Sequence, residues 1–477
     1  MNLVRCVAVV SLGLTAVASA QSVAPGGTLT SIPTSIGVTS EAMNLYVESG
    51  GSDNNTCLSV AAACATIQGA LDKVPTVIEH LVTVTVGTGT FAGAYFDRFD
   101  IRHTSGAGGL IVQGTMQNVT PTSGSATGTA TSGSDGSGLT WGTITDTGAG
   151  WTVNDFRGDY LVVGSNQYLI EGNTTDTITI VGTGSGFGST PAFSIQEPGT
   201  EITTAASYSG YATGSGAAFS AFIFEGASTT AYHALSLLVR RFEVSGAFAA
   251  GLWHSGGSAW MSQIQYTGTG TEAFGLNQFQ FAYISDSSVN GTSGVTDLVE
   301  TYVSVVGGSL LLRDSMLIQG KNLASIGATQ YFRLDHAKVI AGTQGINLGN
   351  VQEGWIRYLS IDTVTGNCVD STYTKSDMTA GQWLFQDSDL DSCGGDAFKV
   401  VGGPGSVRLE TVTGTGTAGH GINATEGARV SIDSNTTVTG SGGDIEVDGT
   451  TTSYVTLRAA SPPVANNSDY FTVVYER

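Results

Sequence analysis

Phe281-Ala282-Tyr283-Ile284-Ser285-Asp286-Ser287, Leu310-Leu311-Leu312-Arg313-Asp314-Ser315 and Tyr331-Phe332-Arg333-Leu334-Asp335 are variants of one element, a short β-type run ending near an acid. Working outward, core-type strands begin near Leu238, Trp260, Phe281, Leu310, Tyr331, Ile356, Leu384, Val407 and Val430, in steps of 21 to 29 residues. One coil of a three-sided solenoid takes about that many residues, and the longer steps fit as loops at one corner. No ankyrin, tetratricopeptide or leucine-rich consensus accompanies the repeat. Strands recur without helices between them, which argues against βαβ units. The expected fold is all-β, a right-handed parallel β-helix with coils over 201–455.

Composition agrees. The chain has 67 glycines, nine prolines and 12% charged residues, yet 40% hydrophobic residues, too many for disorder and suited to a β protein full of turns. Residues 1–20 read as a cleavable export signal, with Arg5, an apolar core Val7–Val17, and Ala18-Ser19-Ala20 before the cut. No later stretch approaches the ~20 apolar residues of a membrane span. With Cys6 in the signal, Cys57, Cys64, Cys368 and Cys393 are left. An export context favours the bridges Cys57–Cys64 and Cys368–Cys393, the second between neighbouring coils. The expected location is therefore extracellular or at the cell surface. The net charge of −21 disfavours nucleic acid as a partner and would repel an anionic polysaccharide unless cations or a local basic patch intervene.

Along the chain, 21–44 reads as a flexible leader and 45–115 as a cap with the first coils. In the cap, Thr66 starts a helix whose Ile67, Ala70, Leu71 and Val74 share one face, and Pro75 stops it. A Gly/Ser/Thr linker is expected over 116–138, a small antiparallel β insertion over 139–200, and a closing segment over 456–477. The order Leu45-Tyr46-Val47, Gly50 to Asn55, helix, Pro75, Leu81 to Val86 and Gly87-Thr88-Gly89-Thr90-Phe91 resembles the N-terminal entry of the pectin-lyase-like superfamily. Gly442 to Gly449 resembles the last coils of such proteins. That resemblance implies a helix shielding the open end of the solenoid, where apolar faces and strand edges would otherwise be exposed.

Acids recur near one point of successive coils, at Asp286, Asp314, Asp335, Asp387, Glu410 and Asp433, with Asp389, Asp391 and Asp396 around one of them. Asp387 and Asp389 are expected on the same side of a strand at a spacing suited to glycoside hydrolysis. Substrate contacts are expected from Arg313, Asp314, Asp335, Glu410 and Trp383. Gly366-Asn367-Cys368-Val369-Asp370, Gly395-Asp396 and Gly419-His420-Gly421 are similar to the successive-coil motifs of polygalacturonases, which implies catalytic roles for Asp396 and His420. The pattern departs from that family: Gly395 stands where an acid belongs, and no Arg-Ile-Lys follows. Arg313 with Asp314, or Lys338 with Asp335, could serve a lyase, for which Ca²⁺ is the cofactor to expect. Asp-Ser and Asp-Asn pairs also form turns by bonding to local backbone. Two functions therefore stand: engagement of extracellular polysaccharide, with lyase or hydrolase cleavage, and a non-catalytic surface scaffold. No metalloprotease helix, nucleophile elbow, phosphate-binding loop or trimerisation element is recognisable.

Overall fold

The computed structural model describes residues 39–75, 77–96, 103–104, 108–206, 220–225, 236–277, 279–302, 308–372, 382–402, 406–447, 454–457 and 474–475. The expected signal and most of the leader lie outside this set. The last leader residues already belong to the fold, for Thr39 Oγ1 accepts from the backbone N–H of Glu79 and His80 at 2.8 and 2.9 Å.

The body is a parallel β-solenoid. On its first face, fourteen described strands from Met43–Val47 to Val474–Tyr475 stack in parallel register. One column of that register runs Leu45, Val84, Val112, Val239, Met261, Ile284, Leu312, Leu334, Ile356, Phe385, Leu409 and Ile432. All twelve are buried, and each such side chain contributes about 1.5–3 kcal/mol by leaving water. A second inward column runs from Val82 and Leu110 to Val407 and Val430. Alternation sends the residues between these columns outward, among them Trp260, Tyr283, Arg333 and Trp355.

The corner after this face is built alike on eight successive coils. Arg241, Gln263, Asp286, Asp314, His336, Tyr358, Asp387 and Thr411, one per coil, adopt left-handed backbone with φ between 44° and 67°. One such residue turns the chain onto the second face. It costs an L-residue about 1–2 kcal/mol, least for short polar side chains that bond locally. The residue that follows closes the corner: the hydroxyls of Ser287, Ser315 and Ser388 donate to the carbonyls of Ser285, Arg313 and Gln386 at 2.8, 2.8 and 3.0 Å. All three serines are fully buried. The recurring Asp-Ser is thus a corner device.

The entry helix spans Ile67–Leu71, shorter than expected, and Thr66 Oγ1 accepts from Gly69 N–H at 2.9 Å. Ile67, Ala70, Leu71 and Val74 are buried, as their spacing requires. Both disulfides form, with Cα separations of 5.0 Å for Cys57–Cys64 and 5.5 Å for Cys368–Cys393. No helix among the described residues is long and apolar enough to cross a membrane.

The chain leaves the solenoid after Gln113 and re-enters at Thr200; Leu110 of the earlier coil pairs directly with Leu237. The excursion is an eight-stranded antiparallel sheet, and the 116–138 run supplies three of its strands, at Met116–Asn118, Thr127–Thr129 and Ser132–Ser134. Thr and Ser suit strands whose side chains bond across the ladder, as Thr131 does to Thr145 and Thr147. The excursion has its own core around Trp151, Phe156, Phe187 and Phe193. Trp141, Tyr160, Leu169 and Val181 then pack on Met316 of the solenoid. It docks closely: a Cβ on Gly182 would lie 2.5 Å from Asp314 Oδ1 and 3.2 Å from His336 Cβ.

Trp383 is core. Only 3% exposed, it faces Gly354 on the preceding coil, where a Cβ would lie 2.1 Å from its ring. The indole of Trp383, expected to contact substrate, fills the volume that the missing side chain at Gly354 leaves. Gly354→Ala should therefore lower stability by about 1–3 kcal/mol through overpacking, read as a drop in the urea midpoint at unchanged m-value. Gly354→Ala with Trp383→Leu should recover part of the loss.

Candidate functional site

The excursion and the left-handed corner enclose a cleft of about 650 Å³. Its floor is Arg240, Arg241, Ser262, Gln263, Ser285, Asp286 and Arg313, and its wall is Ser165 to Tyr168 with Thr183 to Ser185 of the excursion. The floor follows from register. Gln113, Arg240, Ser262, Ser285, Arg313, Asp335, Arg357, Gln386 and Glu410 form one column just before the corner. The corner residues form the next. The acids expected in a single ladder thus divide: Asp286, Asp314 and Asp387 lie on the corner, while Asp335 and Glu410 lie before it.

The wall is tied to the floor by polar contacts. Gln263 Nε2 donates to Gln167 Oε1 at 2.6 Å, and Gln265 Nε2 donates to Gly158 O and Asp159 Oδ1 at 2.8 and 3.0 Å. Tyr160 Oη donates to Asp286 O at 3.0 Å. Tyr168 holds the rim, its hydroxyl donating to Ser185 O at 3.0 Å and accepting from Ser185 N–H at 2.9 Å.

Asp286 and Asp314 occupy neighbouring coils, about 4.8 Å apart along the stack. Burial pushes the Asp314 carboxyl up to about 8, with repulsion from Asp286 adding to it and Arg313 opposing it. Burial likewise raises Asp286 to about 6. Arg313 Nε lies 2.8 Å from Asp314 Oδ2, and His336 Nδ1 lies 3.6 Å from Oδ1. Burial and mutual repulsion thus favour a proton on this pair, and on Asp314 before Asp286. Asp159, within the excursion, is also raised to about 8 by burial.

The other expected site residues have structural partners. Asp335 is clamped between arginines: Arg357 donates from Nε and Nη2 at 3.0 and 2.9 Å, and Arg333 from Nη2 at 3.1 Å. Against the opposing effect of burial, those hydrogen bonds leave its carboxyl below the ordinary value. Lys338 pairs with Asp362 and lies 3.8 Å from Glu171. Glu410 pairs with Arg408. Asp387 stands at the corner with φ 47°, and Asp389, one residue past the buried Ser388, accepts from Thr413 Oγ1 at 2.7 Å.

Asp396 and His420 are brought together, in a polar column at another corner. Asn367 Oδ1 accepts from Asp396 N–H at 2.8 Å, and Asp396 Oδ1 accepts from His420 N–H at 2.7 Å. Asn423 Nδ2 donates to Asp396 Oδ2 at 2.9 Å, and His420 Nδ1 lies 3.0 Å from Glu446 Oε2. Each side chain there supports the backbone of the next coil. Earlier in that column stand Glu272 and Asp297, paired in register and each raised to about 7 by burial. Among the described residues, no three His, Cys, Asp or Glu side chains converge as a metal-ligand set.

Residue types alone did not single out Arg240, Arg241, Gln263 or the excursion's contribution. The available signal was an adjacent arginine pair in a chain with only 18 basic residues.

No family model matches the chain, and no curated protein matches it. Among solved structures, a glycoside hydrolase aligns over 88% of this chain and 95% of its own, at 8% identity and a TM-score of 0.36. XylC in complex with xylose aligns over 81% and 70%, at 8% identity and 0.28. The tailspike protein gp49 of Pseudomonas phage LKA1 aligns over 81% and 69%, at 11% identity and 0.27. Likeness at that distance carries no information about chemistry, which has to come from the cleft.

The raised acids give a signed pH dependence. Asp314 keeps its proton in the folded state up to about 8, whereas its unperturbed value is 3.8. Its contribution to stability is full below the lower value and is lost as pH rises through the upper one. Denaturant midpoints should fall as pH rises across that window. Asp314→Asn, which removes the titration, should flatten the fall; an unchanged slope would mean that Asp314 ionises normally.

Proposed function

We propose that the protein is exported and engages an extracellular polysaccharide in the cleft between the excursion and the solenoid corner. The carrying observation is the cleft itself. It is an open trough of about 650 Å³ lined by hydroxyl, amide, guanidinium and carboxyl groups, with Tyr168 at the rim. Saccharides offer dense hydroxyls and flat apolar ring faces, which such groups and an aromatic ring can match. The two formed disulfides support export. In this reading Asp286, on the cleft floor, and its neighbour Asp314 on the next coil, raised by burial, act as the acceptor and donor that glycosidic hydrolysis requires. The carboxylates named from sequence suit cleavage less well, since Asp396 and Asp433 are engaged by backbone N–H groups and Asp391 is engaged likewise. Those backbone-bound acids favour the second reading, a rigid non-catalytic scaffold.

The deciding experiment is a panel of neutral and uronate polysaccharides with and without Ca²⁺. It should read binding by affinity electrophoresis, reducing ends, and absorbance of unsaturated products. Retention with new reducing ends and no unsaturation is expected, and Asp314→Asn or Asp286→Asn should cut reducing ends by about 10²-fold or more while binding persists. Unsaturated products would replace hydrolysis by a lyase step, and silence across the panel would transfer the function to the scaffold.

A further inference from the structure

Arg240 and Arg241 are adjacent in sequence, half-buried, and on the floor of the cleft. Arg240 Nε and Nη2 both donate to Gln113 Oε1, at 3.0 and 2.7 Å. Arg241 Nε donates to Gln263 Oε1 at 3.2 Å, and its Nη2 donates to Gln167 Oε1 at 3.4 Å. All these acceptors are neutral amides. Among the described residues no carboxylate pairs with either guanidinium, in contrast to Arg313, Arg333, Arg357 and Arg408, each of which meets an acid. This arrangement is costly. Two like charges share one corner in a partly desolvated trough, and burial weakens both cations, with Arg240 adding to the effect on Arg241. A chain of net charge −21 has carboxylates to spare, yet the one on this floor, Asp286, pairs with neither arginine.

The amides leave further N–H groups of each guanidinium unused, since an arginine carries five donors and spends two here. Gln167, from the excursion, and Gln113 and Gln263, from neighbouring coils, fix the planes of both groups without cancelling their charge. Preorganised, uncompensated guanidiniums are what a planar or tetrahedral oxyanion binds through charge-assisted hydrogen bonds. We infer that Arg240 and Arg241 form an anion subsite of the cleft, which selects a polysaccharide bearing carboxylate or sulfate groups. The inference deepens the polysaccharide reading and rests on it. It also locates the basic patch that lets an acidic protein hold an acidic glycan.

The test uses the full mature chain and the double variant Arg240→Gln, Arg241→Gln. The corner admits glutamine, because Gln263 occupies it on the next coil with φ 57° and Gln113 holds the register position of Arg240 on the coil before. Circular dichroism and the thermal midpoint verify folding. Isothermal titration compares alginate oligosaccharides with their methyl esters, and sulfated galactan oligosaccharides with their desulfated forms. The charged member of one pair should bind about tenfold or more tightly than its neutral partner, losing that advantage in the double variant and weakening as salt is raised. The pair that responds identifies carboxylate or sulfate. Equal binding of charged and neutral members, or an advantage that survives in the double variant, overturns the inference and leaves the polysaccharide reading standing. If no oligosaccharide binds, the polysaccharide reading fails, and sodium sulfate titrated at constant ionic strength decides the anion site separately. A thermal shift confined to the unmodified chain retains the anion site, and equal shifts in both proteins remove it.

Discussion

Eight successive coils turn between their first and second faces on one left-handed residue, and the register of the solenoid depends on that corner repeating without slippage. A single insertion there would move the following strand by one residue and exchange its inward and outward side chains. The structure holds the corner with a buried serine hydroxyl bonded back two residues, at Ser287, Ser315 and Ser388. The stacked apolar columns then add burial on every coil. Local turn chemistry and core packing reinforce one another.

The same corner shapes the chemistry. Left-handed backbone favours short polar side chains, so aspartate recurs there for conformational reasons. Where the excursion covers the corner, at Asp286 and Asp314, burial raises both carboxyls and stacking sets one against the other. The excursion thus converts turn residues into titratable groups near neutrality. Its own core and the Met316 seam hold it in place, and Gly182 permits the close approach over Asp314.

Much of the fold was legible because solenoids are locally repetitive. Strand spacing, the Thr66 cap, the Pro75 stop and both disulfides are all visible in residue order. The site was legible only in part. Arg313 was named and lines the cleft, with Asp314 beside it under Gly182, because the acid repeat marks the corner. Asp396 and His420 were matched to a motif, and the structure brings them together, with Asp396 Oδ1 accepting from the His420 N–H. Trp383 was named for its ring and proved to be core, since its partner across the coil is Gly354.

By itself the sequence determined the coil period, the corner and the inward columns, because those depend on interactions between residues close in the chain or one repeat apart. Which acids become a site was decided only by tertiary structure. Burial of Asp286 and Asp314 depends on Tyr160, Gly182 and Gln167, more than a hundred residues earlier, folding back over that corner. The charge on Arg240 and Arg241 likewise stays uncompensated because the groups brought to them by the fold are amides, a fact of three-dimensional neighbours that no spacing in the chain encodes.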